Sequence, residues 1–132
     1  MTDYRVDPFP RIEELDALWR RAWGGPVAAG YGAVLERSLA HVGAWEEGRL
    51  ASFVNVAWDG GVHAFILDTC VDPDVRRRGI GTQMMRLAIA VAHERGAEWL
   101  HVDYEPHLDA FYAGCGFRPT LAGLIRLRPE QG

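Results

Sequence analysis

The amino-acid sequence predicts an α+β fold built on a mixed sheet, and three observations carry that expectation. Apolar residues recur at helical spacing through the first third of the chain, up to about residue 40. Three stretches between 41 and 71 have the texture of strands separated by glycine-containing turns. A strand, helix, strand succession then runs from 63 to 103. Tight turns make the first three strands antiparallel, whereas a helical crossover joins strands that run the same way, so the sheet has to be mixed.

The elements follow in order. A short extended Tyr4-Arg5-Val6 precedes Ile12, Leu15, Leu18, Trp19 and Ala22, which mark one face of an amphipathic helix begun near Pro10 and ended by Gly24-Gly25. Gly24, Gly25, Pro26, Gly30 and Gly32 make a turning connection to a shorter helix over 33–40. Strands are expected over 41–46, 50–58 and 63–71, with Glu47-Gly48 and Asp59-Gly60-Gly61 as the hairpin turns. Ile80, Met84, Leu87, Ala88 and Val91 lie on one face of a long helix that Gly96 terminates in a left-handed cap. A strand over 98–103 runs parallel to 63–71; Leu108, Phe111, Tyr112 and Cys115 define a second short helix; and 117–128 reads as a closing pair of strands around Gly123.

Composition bounds the function. A chain of 132 residues is the size of one domain, so 1–132 is read as a single unit with its own core. A net charge of −4 argues against a nucleic-acid partner, and no apolar run is long enough to span a membrane. Met1-Thr2-Asp3 has neither the basic start nor the apolar stretch of a signal peptide, which makes a cytoplasmic location the expectation. The two cysteines, Cys70 and Cys115, have no metal-binding or redox spacing, so reduced thiols and no metal site are expected. All 14 basic residues are arginine, so the chain offers no side-chain amine.

The segment Val71-Asp72-Pro73-Asp74-Val75-Arg76-Arg77-Arg78-Gly79-Ile80-Gly81-Thr82 sits where a strand hands over to the long helix. A helix N-terminus presents backbone N–H groups without intrahelical acceptors, and glycine lets a phosphate approach the backbone with no Cβ in the way. Residues 76–82 therefore read as a diphosphate cradle, in which the arginines add charge. There is no Gly-Lys-Ser/Thr for a P-loop, and the further glycine of a dinucleotide fingerprint is lacking.

Arg76-x-x-Gly79-x-Gly81 resembles the acyl-CoA motif of the GNAT superfamily of N-acetyltransferases, and Val71 matches the last strand residue before it. Phe111-Tyr112-Ala113-Gly114-Cys115-Gly116-Phe117 resembles that family's Tyr-x-x-x-Gly-Phe signature, 31 residues beyond Gly81. With the strand order, the resemblance covers roughly 41–128. It implies a twisted mixed sheet flanked by helices and splayed between central parallel strands 63–71 and 98–103. Acetyl-CoA would lie in that gap, its pantetheine arm along 63–71 and its diphosphate on Arg77, Arg78, Gly79, Ile80, Gly81 and Thr82. The implied activity is acetyl transfer from acetyl-CoA to a primary amine of a small molecule or peptide, by direct attack in a ternary complex. A CoA-binding module without turnover is the alternative, and a homodimer stays open.

An ammonium must lose a proton before attacking a thioester, and the departing thiolate must gain one or be stabilised. The resemblance makes Tyr112 the acid. For the base, Asp68 is the expected residue, a charged side chain in the otherwise apolar run 64–71. His63 is an odd number of residues away, so strand alternation sends the two to opposite faces unless a bulge intervenes. Glu46 and Glu47 read as a solvated pair. Glu105 departs from the family's usual asparagine seven residues before the tyrosine, where an ionised carboxylate cannot donate. Trp19, Trp23, Tyr31 and Trp45 are the aromatic groups offered to an acceptor or to a core. Cys115, on an apolar helix face, reads as inert rather than as an acyl carrier.

Overall fold

The computed structural model describes residues 1–129. They fall into two compact units, 1–102 and the segment from Asp103 onward. The first contains strands β1 (Asp3–Val6), β2 (Ala40–Glu46), β3 (Arg49–Trp58), β4 (His63–Val71) and β5 (Trp99–His101), with helices α1 (Ile12–Trp23), α2 (Tyr31–Arg37) and α3 (Ile80–Glu94). The second contains α4 (Asp109–Gly114), preceded by a 3-10 turn over Pro106–Leu108. Among the described residues no helix is long and apolar enough to cross a membrane.

The sheet has the order β1-β2-β3-β4-β5 and does not close. The first four strands are antiparallel neighbours, and β4 pairs with β5 in parallel, as a helical crossover demands. The β2–β3 turn is made by Glu47 at φ 50 and Gly48 at φ 77, two consecutive left-handed residues that suit the right-handed strand twist. Leu15, Leu18 and Trp19 of α1 pack with Tyr31 and Leu35 of α2 on Trp45, Leu50, Phe53 and Cys70 of the sheet. Alternation sends Val42, Val54, Val56, Ala64 and Ile66 to the other face, each 0–3% exposed. There α3 packs against β2, β3 and β4 and buries Met84, Met85 and Ala88.

Three expectations are corrected. The segment 117–128 forms no strand among the described residues, and Leu121, Leu124, Ile125 and Leu127 stand exposed. Those residues lack a sustained two-residue period, Pro119 and Gly123 interrupt them, and an isolated two-stranded ribbon is marginal in water. Strand β5 spans 99–101 rather than 98–103, and that shortening shapes the site. The shorter helix also begins earlier than expected and ends at Arg37, because Ala40 already belongs to β2.

Candidate functional site

Strand β4 is nine residues long, but β5 pairs only with its beginning, His63↔Trp99, Ala64↔Leu100 and Phe65↔His101. Beyond that point, 66–71 is bonded to β3 on one side, while among the described residues no strand pairs with its other side. The parallel strands therefore part after Phe65 and leave an extended edge of amides and carbonyls. Such an edge needs partners, and an extended ligand can supply them.

That edge leads into the loop before α3, residues 72–79. Asp72, 1% exposed, ends the strand: its amide donates to the Ala51 carbonyl and its carboxylate accepts from the Asp74 amide at 2.9 Å. Arg21 of α1 and Arg49 of β3 reach the same carboxylate at 2.6 and 3.2 Å. Burial pushes the Asp72 carboxyl up, but the Asp74 amide and the two guanidinium groups outweigh it and hold the group below the usual carboxylate range. Asp72 thus fixes the loop that enters α3.

Arg77 at φ 69 and Gly79 at φ 77 both adopt the left-handed conformation, which curls the backbone just before α3. Gly79 is the N-cap and has no side chain to satisfy the helix terminus; the first intrahelical bond runs from Gln83 N–H to its carbonyl. The amides of Ile80, Gly81 and Thr82 precede that bond and have no intrahelical acceptor. Arg76, Arg77 and Arg78 are exposed, and Arg78 lies 3.5 Å from Glu46. Glu46 is not a solvated residue: its carboxylate also accepts the Thr2 hydroxyl, and its side chain is only 18% exposed.

Asp68 sits at a β-bulge. Leu67 lies opposite Asn55 and Cys70 opposite Phe53, so β4 has an extra residue there, and Asp68 takes φ 55. The bulge overturns the simple alternation argument. Asp68 faces helices α1 and α2, the face shared by His63, Phe65 and Leu67, and accepts the Tyr31 hydroxyl of α2 at 2.7 Å. Burial, then the adjacent carboxylate, raises the Tyr31 phenol far above its ordinary range, so it stays a donor. Ser38, just past α2, donates to Asn55 at 2.5 Å on the same face.

The aromatic acceptor candidates divide. Trp19, Tyr31 and Trp45 are core residues, 8%, 6% and 8% exposed, and the Trp45 indole donates to Glu14 of α1; Trp23 is exposed. Burial pushes the Cys70 thiol up to about 12, which makes it a poor nucleophile. In the second unit, Tyr112 is buried, stacks on Tyr104 with centroids 4.6 Å apart and meets Phe111 and Phe117 edge-on. Glu105 is exposed and precedes the 3-10 turn.

Two features were missed from the sequence. Asp72 was passed over beside the glycines, although an Asp followed by Pro at the start of a helical turn is a capping signal. The pairing of His63 with His101 across β4 and β5 depends on parallel register, which sequence spacing does not specify.

The profile of the Acetyltransferase (GNAT) family matches residues 1–117. The mycothiol acetyltransferase of Mycolicibacterium vanbaalenii is 38% identical over 66 residues, which is 50% of this chain and only 22% of that protein's length. A probable acetyltransferase from methicillin-resistant Staphylococcus aureus has the same fold, with a TM-score of 0.82 and 22% identity over 98% of this chain and all of that one. An aminoglycoside N-acetyltransferase solved with CoA superposes with a TM-score of 0.76 and 19% identity, covering 97% of this chain and 95% of that one.

Proposed function

The chain belongs to the acetyltransferase (GNAT) family, and on that premise we propose that it moves an acetyl group from acetyl-CoA to a primary amine by direct attack, with both substrates bound together. The observation that carries the reading is the free edge of β4 over 66–71, which continues into an uncapped helix terminus. CoA has matching parts in series: an extended pantetheine arm with two amides, then a diphosphate. The first suits an unpaired strand edge and the second a set of free amides flanked by arginine.

Acetyl-CoA supplies the acetyl thioester. The backbone of β4 up to Val71 aligns its arm, and the amides of Arg77, Arg78, Gly79, Ile80, Gly81 and Thr82 hold the diphosphate, with Arg76 adding charge. Asp68 draws the acceptor ammonium to the α2 face of the strand, its carboxylate oriented by Tyr31. Tyr112 is the acid of this reading, donating to the leaving sulfur, a role supported by the likeness of Tyr112-Ala113-Gly114-Cys115-Gly116-Phe117 to the family's signature. The overall negative charge and the partial likeness to a mycothiol acetyltransferase support a small cationic or amine-bearing acceptor.

The test is thiol release from acetyl-CoA with and without a panel of small primary amines. Release that depends on the amine is expected. Binding of CoA with no release for any amine would favour the non-catalytic module. Gly81→Val should abolish CoA binding in calorimetry while the protein stays folded, and unchanged affinity would remove the cradle from the account. Tyr112→Phe should keep CoA affinity and slow single turnover by roughly 10²-fold. An unchanged rate would take Tyr112 out of the mechanism.

A further inference from the structure

The β4–β5 ladder ends at Phe65↔His101, so His101 stands at the point where the two strands part. There His63 Nδ1 and His101 Nε2 lie 2.8 Å apart, and the His101 ring stacks on Phe65 with centroids 4.7 Å apart and planes 22° from parallel. On the other face of the sheet Ala64 and Ile66 are 0% and 3% exposed. On the imidazole face His101 and Leu67 are exposed and His63 is half-buried. This is also the face to which the bulge turns Asp68. A chain lying along the free edge of β4 reaches these rings when it reaches the end of the gap.

Two imidazoles in N···N contact hold one proton between them. In either tautomer the neutral pair then has a free lone pair on one outer nitrogen and an N–H on the other, these being His63 Nε2 and His101 Nδ1. We infer that the His63–His101 pair carries away the proton of the acceptor ammonium, an inference that rests on the acetyltransferase reading above. The ammonium gives a proton to the free outer nitrogen, the shared proton crosses to the other ring, and the far N–H is released to water. One proton enters and one leaves, and the pair ends in its other tautomer. The amine lone pair then forms the C–N bond to the acetyl carbon as the C–S bond breaks. Solvent exchange at the outer nitrogens restores the starting tautomer.

A neutral imidazole is matched to accept a proton near neutral pH far better than a carboxylate is. The division of labour follows: Asp68 holds the cation, and the imidazoles take its proton. Asp68 is three residues along β4 from Phe65, roughly 10 Å at strand rise, which an amine and one bridging water can span. Asp59 lies beside the pair, its carboxylate accepting the His63 amide at 3.3 Å.

The test is single turnover with an amine accepted by the wild-type protein, for His63→Gln, His101→Phe and His63→Ala. Gln keeps a polar partner for His101, and Phe keeps the ring stacked on Phe65, so folding has two separate controls by circular dichroism. Each variant is expected to bind CoA as wild type does and to react about 10-fold to 100-fold more slowly. Added imidazole should restore part of the His63→Ala rate, while pyrazole, a ring of the same shape and much weaker basicity, should not. Wild-type rates in His63→Gln and His101→Phe, or a loss that imidazole leaves untouched, would overturn the relay and leave the acetyltransferase reading standing. No amine-dependent release by the wild-type protein would overturn that reading and the relay with it.

Discussion

The two faces of the sheet solve different problems. Under α3, Val42, Val54, Val56, Ala64 and Ile66 form a mainly apolar layer against the helix that buries Met84, Met85 and Ala88. On the α1 and α2 side the core is equally tight around Phe53, yet it admits Asn55, Asp68 with Tyr31, and the His63–His101 pair. A polar group buried without partners costs stability, so polar chemistry needs a face that supplies hydrogen bonds and water. The packing of α3 holds the strands in place, while the proposed chemistry lies on the opposite face. The bulge at Asp68 moves a carboxylate from the first face to the second.

This contrast can be broken by substitution. Met85→Ala on the α3 face is expected to cost the most stability, about 2–5 kcal/mol in urea unfolding, with unchanged CoA affinity in the folded fraction. Retained stability would mean that the α3 face is not the structural one. Asp72→Asn should cost about 1–3 kcal/mol near neutral pH, because Arg21 and Arg49 lose a charged acceptor. Since the folded carboxyl lies below its unfolded value, the stability it contributes is present above the unfolded value of about 4 and is lost as pH falls through the folded one. The wild-type protein should therefore lose stability in acid more steeply than Asp72→Asn. Parallel acid profiles would mean that the ion pairs do not stabilise the fold.

Tyr31→Phe is expected to have the smallest effect on stability, about 1 kcal/mol for the hydrogen bond to Asp68. It should act on function instead, raising the KM for the amine while leaving CoA affinity alone. An unchanged KM for the amine would detach Tyr31 and Asp68 from the acceptor side.

Much of this architecture was legible in the sequence because periodicity and turn chemistry report it locally. Glu47-Gly48, Gly79 and Gly96 mark their turns by their backbone demands, and Ile80, Met84, Ala88 and Val91 trace the buried stripe of α3. The turn into α3 on which the proposed cradle rests was legible for the same reason, since Gly79 takes the left-handed conformation. What escaped was set by pairing between strands. Alternation gives the wrong face for Asp68, because a bulge is defined by two strands and not by one. The closing hairpin over 117–128 was inferred from apolar content without a sustained period, and no strand forms there. His101 acquires meaning only when parallel register sets it beside His63.

The central claim is that the free edge of β4 and the first turn of α3 together receive CoA. Residue-resolved amide hydrogen exchange, with and without saturating CoA, tests it without knowledge of the acceptor. The account predicts slower exchange on CoA binding along 66–71 and 77–82, with little change at 99–101, where the β4–β5 pairing already exists. CoA binding that leaves 66–71 and 77–82 unprotected, or protection confined to other segments, would contradict it.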